Sequence, residues 1–216
     1  MRGEDAGHVP GVDDEIRFER SLSIDEAREA GAILAYEMNG EPLPIDHGFP
    51  LRAIVPGWYG VASVKWLTEI EVTPQGFDGY FQSDRYVYEW TRGGRTVREP
   101  VTRQRVRSVI VSPADGDRID ADELVVRGLA WSGQAPVARV EVAVGDREWA
   151  EAALGTGTEH FAWQWWELRT PAPGCGRIVI RARATDAAGF VQPERPEWNR
   201  LGYGANGIHE VVVDRG

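Results

Sequence analysis

The chain has 216 residues, 42% hydrophobic and 27% charged, with 24 Lys+Arg against 34 Asp+Glu for a formal net charge of −10. That composition is typical of globular proteins, and the length suits one large or two small domains whose core needs no covalent staples. The single cysteine, Cys175, excludes an intrachain disulfide framework and any multi-cysteine zinc or iron–sulfur centre built from this chain alone; a pI near 5.0 argues against general nucleic-acid binding, and no apolar run approaches the ~20 residues that span a bilayer.

The stretch from Met1 to Asp14 is acidic and glycine-rich, without an apolar core or a basic leader. It does not read as a signal peptide, so a cytoplasmic location is the default expectation. Ser23 to Ala30 carries a helix-start pattern, with Ser23 placed to cap and Asp25 and Glu26 in the first turn. From Ala32 to about Trp90, short apolar runs broken by Gly and Pro have strand-and-loop texture. Pro42, Pro44, Pro50 and Pro56 each remove a backbone donor, which places them in a long ordered loop, the kind of segment that carries function. Arg92 to Gln104, with Gly93-Gly94 and alternating Arg and polar residues, reads as a connection, giving domains at 1–104 and 105–216.

Beyond Arg103 come short strand candidates: Val106 to Ser112, Leu124 to Trp131, Ala138 to Val144, Glu148 to Leu154, Phe161 to Leu168, Arg177 to Thr185 and Ile208 to Asp214. RVEVAVG and RIVIRARATD alternate apolar and charged residues with period two, and Asp115-Gly116, Pro173-Gly174 and Ala188-Gly189 supply turns. The expected class is mainly β with some α: the end of an α+β domain, then an immunoglobulin-like β-sandwich. Trp163, Trp165 and Trp166 would feed its core or an interface.

Three potential cations or donors, His47 in DHGFP, Arg52 in GFPLR and Lys65 in SVKWL, fall within one short span. Lys65 is the only lysine of the chain. Arg offers a bidentate fork, Lys a point charge and His a switchable donor, while Gly48, Gly57 and Gly60 permit close backbone approach, so the set suits an anion such as a phosphate. On composition alone, three unrelated surface groups are the simpler reading.

The string LAYEMNGEPLPIDHGFPLRAIVPGWYGVASVKWLTEIEV resembles the pterin-binding segment of the sulfite oxidase family, which includes the molybdenum domain of plant nitrate reductases. The resemblance continues through YFQSDRY, AWSG, WQWWELRTPAPG and ARATDAAGFVQPERPEWNRLGYGAN, the last three similar to that family's dimerisation domain. It implies a Mo-molybdopterin cofactor held by His47, Arg52, Ser63, Val64 and Lys65, with Asp5 in RGED as a further pterin contact. It also implies a catalytic tyrosine at Tyr86, a small oxyanion substrate, a homodimer through the C-terminal domain and a one-electron acceptor such as a cytochrome. Two departures stand out. The family's molybdenum-binding cysteine precedes this segment, so the metal ligand is expected to be missing here, and Cys175 in PAPGCGRIV reads as a small turn residue. The family's WNLRG-type motif appears as WNRLG, leaving Arg200 as the catalytic candidate one residue early, with Leu201 in the arginine's slot and Arg200 expected to aim away from the pocket. The chain is therefore expected to be the C-terminal part of a molybdopterin oxidoreductase, inactive without the cysteine-bearing half. The alternative is a non-catalytic dimerisation and cofactor-binding fragment, or the second half of a split enzyme.

Overall fold

The structure, a computed structural model, describes residues 1–156 and 161–216. The chain folds as two units, Met1–Thr102 with Trp198–Tyr203, and Arg103–Glu197 with Gly204–Gly216. The second passage of chain in the first unit is a feature that a single cut near Gln104 does not contain.

The second unit is a β-sandwich. One sheet orders Arg107–Ser112, Glu123–Trp131, Gln164–Pro171 and Ala153–Leu154, all antiparallel. The other orders Arg118–Ile119, His209–Arg215, Gly176–Asp186, Val137–Val144 and Ala150–Glu151, with Arg118–Ile119 running parallel to its neighbour. Period-two alternation turns Leu124, Val126, Val140, Val142, Ile178, Ile180, Val211 and Val213 into one shared core, where each large aliphatic contributes about 1.5–3 kcal/mol on burial. Trp166 is fully buried because Gly128 lies beneath it: a Cβ there would sit 2.1 Å from the indole and from the Val109 carbonyl oxygen. Trp163 and Trp165 instead stay on the surface, 62% and 54% exposed.

Five of the seven expected strands form within a residue of their expected limits, and Phe161 to Leu168 is shifted by three residues, to Gln164–Pro171. Glu148 to Leu154 differs, because Ala150–Glu151 pairs in one sheet and Ala153–Leu154 in the other. The buried Ala152 between them donates its N–H to the Val140 carbonyl as the chain changes sheets.

The first unit is built from smaller pieces. Arg2–His8 lies between Glu15–Glu19 and Leu67–Glu69. The helix Ile24–Glu29 starts where Ser23 and Glu26 close a capping box. Ile33–Ala35 pairs with Arg52–Ile54, and Glu37–Met38 with Glu41–Pro42 across the left-handed Asn39-Gly40 turn. The segment expected as a connection is corrected: Val87–Arg92 and Arg95–Pro100 form a hairpin over Gly93-Gly94, both at positive φ. Its second strand is exposed on both faces apart from Val97, so no hydrophobic alternation marks it.

Candidate functional site

Residues 63–66 thread between two neighbours. Ala53 donates to the Val64 carbonyl at 2.8 Å, Leu67 to Leu51 at 2.8 Å and Glu4 to Trp66 at 2.9 Å. Val64 is fully buried and anchors this segment, and Ser63 accepts the Val55 N–H at 3.1 Å, which fixes the turn before it. With Val64 pointing inward, the next side chain, Lys65, emerges half-buried, its Nζ 4.3 Å from the Trp66 ring centroid.

Lys65 and Arg52 converge on one short turn. Lys65 Nζ donates to the Asp46 carbonyl at 3.0 Å, and Arg52 Nη1 to the His47 carbonyl at 3.0 Å. Gly48 closes that turn at φ +102°, and a Cβ on it would lie 2.9 Å from Lys65 Cβ, 3.0 Å from Lys65 Cα and 3.2 Å from Arg52 Cβ. Only a glycine lets the turn come this near. Asp5 approaches the backbone of this segment from the first strand: a Cβ on Gly3 would meet Asp5 Oδ1 at 2.4 Å and the Lys65 carbonyl at 2.8 Å. The structure thus joins His47, Arg52 and Lys65 at one turn and sets Asp5 beside the Lys65 backbone, while the Ser63 hydroxyl and the Val64 side chain face inward.

The electrostatics of this cradle are unbalanced. Neither Arg52 nor Lys65 forms an ion pair with a carboxylate among the described residues. Among the described residues Arg52 Nε is buried without a hydrogen-bond partner, and burial pulls the Arg52 guanidinium below its ordinary value. A buried donor left unmatched costs about 1–3 kcal/mol, which an anion accepting from it would offset. A phosphate-bearing pterin therefore fits these residues.

Tyr86 belongs to a second cluster. It follows a π-helical turn, Phe81–Arg85, and its ring packs 6.1 Å from Phe81, 6.3 Å from Phe18 and 5.5 Å from Tyr203. Single π-turns are rare and recur at functional sites. No other described residue hydrogen-bonds its hydroxyl.

Arg200 is committed elsewhere. Its Nε and Nη2 donate to the Glu89 carboxylate and its N–H to the Glu89 carbonyl at 3.0 Å, while Arg98 Nε donates to the same carboxylate at 2.7 Å. These bonds, Arg200 first and Arg98 second, hold Glu89 below the usual carboxylate range. Arg200 serves here as the anchor of the returning segment Trp198–Tyr203. Two residues of the unit escaped sequence reasoning: Glu89, in an ordinary strand pattern, and Arg20, fully buried within FERSL. An apolar cleft of about 850 Å³ also opens in this unit, lined by Ile24, Ile33, Leu34, Trp58, Ile70 and Val72.

The first unit thus carries a turn gripped by two cations that form no ion pair among the described residues, and it precedes an immunoglobulin-like sandwich. Comparison with known proteins is specific. The oxidoreductase molybdopterin binding domain matches residues 2–81, and the Mo-co oxidoreductase dimerisation domain matches residues 98–216. The mitochondrial sulfite oxidase of Macaca fascicularis is 37% identical over 199 residues, covering 86% of this chain and 36% of that protein. The sulfite oxidase of Arabidopsis thaliana is 32% identical over 221 residues, covering 92% and 56%. The crystal structure of the sulfane dehydrogenase SoxCD from Paracoccus pantotrophus superimposes with a TM-score of 0.82 at 28% identity, covering 99% of this chain and 54% of that one. The chain belongs to the sulfite oxidase family of molybdenum-cofactor oxidoreductases. It spans about a third of the length of the mitochondrial sulfite oxidases it matches.

Proposed function

We propose that this chain is the pterin-anchoring and dimerising part of a sulfite-oxidase-type oxidoreductase acting on a small oxyanion. The observation that carries the reading is the pair Arg52 and Lys65, gathered around Gly48 with no ion pair to a carboxylate among the described residues. Arg52 and Lys65 clamp the phosphate of molybdopterin, the exposed His47 adds a donor at the rim, and Asp5 with the backbone of Ser63 and Val64 contacts the pterin. When bound, the cofactor supplies two-electron oxygen-atom transfer, with a one-electron acceptor such as a cytochrome taking the electrons. Tyr86, whose hydroxyl has no partner among the described residues, orients the substrate oxyanion.

Phosphate contacts are made equally in ground and transition states, so they act on cofactor retention and not on the chemical step. A charge-assisted hydrogen bond contributes about 1.5–3 kcal/mol, so Lys65→Ala and Arg52→Ala should each weaken molybdopterin binding by roughly 10- to 150-fold, while Tyr86→Phe leaves it unchanged. Pterin fluorescence released from the loaded, washed protein measures this. Equal occupancy in all three variants would refute the assignment.

A second reading, in which the chain is one half of a two-part enzyme, is favoured by the cleft, where Ile24, Ile33, Leu34, Ile70 and Val72 are all about half exposed or more. Cys175 is exposed in the sandwich unit and donates Sγ–H to the Gly216 carbonyl, so a partner segment would supply the molybdenum thiolate. Stoichiometric molybdenum in the chain purified alone would exclude this reading.

A further inference from the structure

We propose that Arg20 is a positioning residue that fixes Tyr86 by gripping the backbone on both sides of it. This rests on the assignment of Tyr86 above.

Arg20 is 1% exposed, yet among the described residues no carboxylate pairs with it. Its fork holds two carbonyls instead: Nη1 donates to Phe81 at 2.6 Å and Nη2 to Val101 at 2.8 Å. Both of these residues bond to Tyr86. The Phe81 carbonyl also accepts the Tyr86 N–H at 3.3 Å, closing the π-turn, and the Val101 N–H donates to the Tyr86 carbonyl at 2.8 Å. The entire backbone hydrogen bonding of Tyr86 thus passes through residues that Arg20 ties together.

The residues beside Arg20 reinforce this grip. Phe18 packs 4.8 Å from Phe81 and 6.3 Å from Tyr86. Ser21 and Gln82 exchange two hydrogen bonds, at 2.9 and 2.7 Å. Arg20 itself is held by Met1, whose carbonyl accepts the Arg20 N–H at 3.0 Å and whose ammonium donates to the Arg20 carbonyl at 3.1 Å.

Stability alone does not account for an arginine here. Burial drives its guanidinium down to about 10, and Nε has no partner among the described residues, so the site carries a desolvation penalty that an apolar side chain of similar volume would avoid. An apolar side chain could not hold two carbonyls from separate segments at a set spacing. The planar, pre-organised fork of arginine can, and lysine reproduces it only in part. Positioning errors of an ångström are enough to lower a rate substantially.

The test uses the 216-residue chain as wild type, Arg20→Lys and Arg20→Gln, followed by amide hydrogen exchange and by NMR of ring-13C tyrosine, with the Tyr86 signal identified from its loss in Tyr86→Phe. In Arg20→Gln the Tyr86 and Val101 amides should exchange about tenfold faster or more and the Tyr86 ring signal should move. Arg20→Lys should be intermediate. The Ala53 amide, bonded to Val64, should keep its rate, and molybdopterin retention should not change. Wild-type exchange at Tyr86 and Val101 in either variant overturns the proposal, and so does a uniform acceleration across residues 1–102, which would make Arg20 a general stabiliser. If Arg20→Gln does not fold, Arg20→Lys decides alone by the same two amides. None of these readouts needs turnover: failure of Tyr86→Phe to alter kcat in the loaded protein would remove Tyr86 from the reaction while leaving the exchange result to judge Arg20.

Discussion

Replacing Gly48 by alanine separates close approach from backbone strain. Gly48 sits at φ +102° and Gly40 at φ +81°, so an alanine at either pays for a left-handed backbone, roughly 1–2 kcal/mol. The surroundings differ: nothing lies within 4 Å of a Cβ on Gly40, whereas one on Gly48 meets Lys65 Cα at 3.0 Å and Arg52 Cβ at 3.2 Å. These are backbone and near-backbone atoms that cannot swing aside, so overpacking adds about 1–3 kcal/mol at Gly48. The expected totals are therefore about 2–5 kcal/mol for Gly48→Ala against about 1–2 kcal/mol for Gly40→Ala. If the turn relaxes instead, it moves off Arg52 and Lys65, and the loss appears as weaker molybdopterin binding although every charge remains. Urea midpoints at constant m-value and pterin retention measure the two channels. If Gly48→Ala matches Gly40→Ala in both, the close approach at the cradle has no energetic role.

Three further outcomes follow from individual groups. His209 accepts the Ile110 N–H on Nδ1 at 3.0 Å, and burial, then Arg107, pushes its pKa below 6.5; the unfolded chain takes up a proton that the native imidazole resists, so stability of the second unit is full above pH 6.5 and falls as the pH drops below it. Denaturation at pH 8 and pH 5.5 should show that slope in wild type and a smaller one in His209→Gln. Glu89, depressed by Arg200 and then Arg98, gives stability that is complete above its ordinary value of 4.5 and is lost as the pH falls through its lower native value; Glu89→Gln should lower the melting temperature at pH 7 and flatten the acid limb, and an unchanged melt would show that the Arg200 anchor is dispensable. On the outer face of the four-stranded sheet, Trp165 lies beside Leu129 with Val111 and Trp163 also exposed, so Trp165→Ser should shift a sedimenting dimer toward monomer.

What could be read from the sequence follows from which interactions leave a pattern. Alternation in RIVIRARATD and RVEVAVG marks strands because one face of each is buried in the sandwich. Ser23 and Glu26 are legible because a capping box needs those side chains at that spacing. Residue types near glycines left His47, Arg52 and Lys65 as three unrelated surface groups on the simpler reading, and only the family resemblance grouped them; the structure supplies the turn that joins them. The Arg95–Pro100 strand was not legible, since exposure on nearly every residue erases its period. Nor was the sheet change at Ala152, which depends on a single small buried residue. Arg20 left no signal for a deeper reason: its partners are carbonyls, and every residue carries one.

The cations of the first unit divide by what answers their charge, and that division separates scaffold from site. Arg200 and Arg98 are neutralised by Glu89 together with Asp84, which pairs with Arg98 at 2.8 Å, so they hold chain segments together and have little residual attraction for a ligand. Arg20 is buried on two carbonyls, and those dipoles compensate it only in part. Arg52 and Lys65 also touch carbonyls, but they are only partly buried, lie against one turn and form no ion pair with a carboxylate among the described residues. A chain with a net charge of −10 repels anions at long range, and that repulsion is screened beyond about 8–10 Å at physiological salt. Selection of an anion must then come from contact geometry within the cradle. That requirement explains why the approach of Gly48 to Lys65 and Arg52 matters more to the proposed function than the overall charge of the protein.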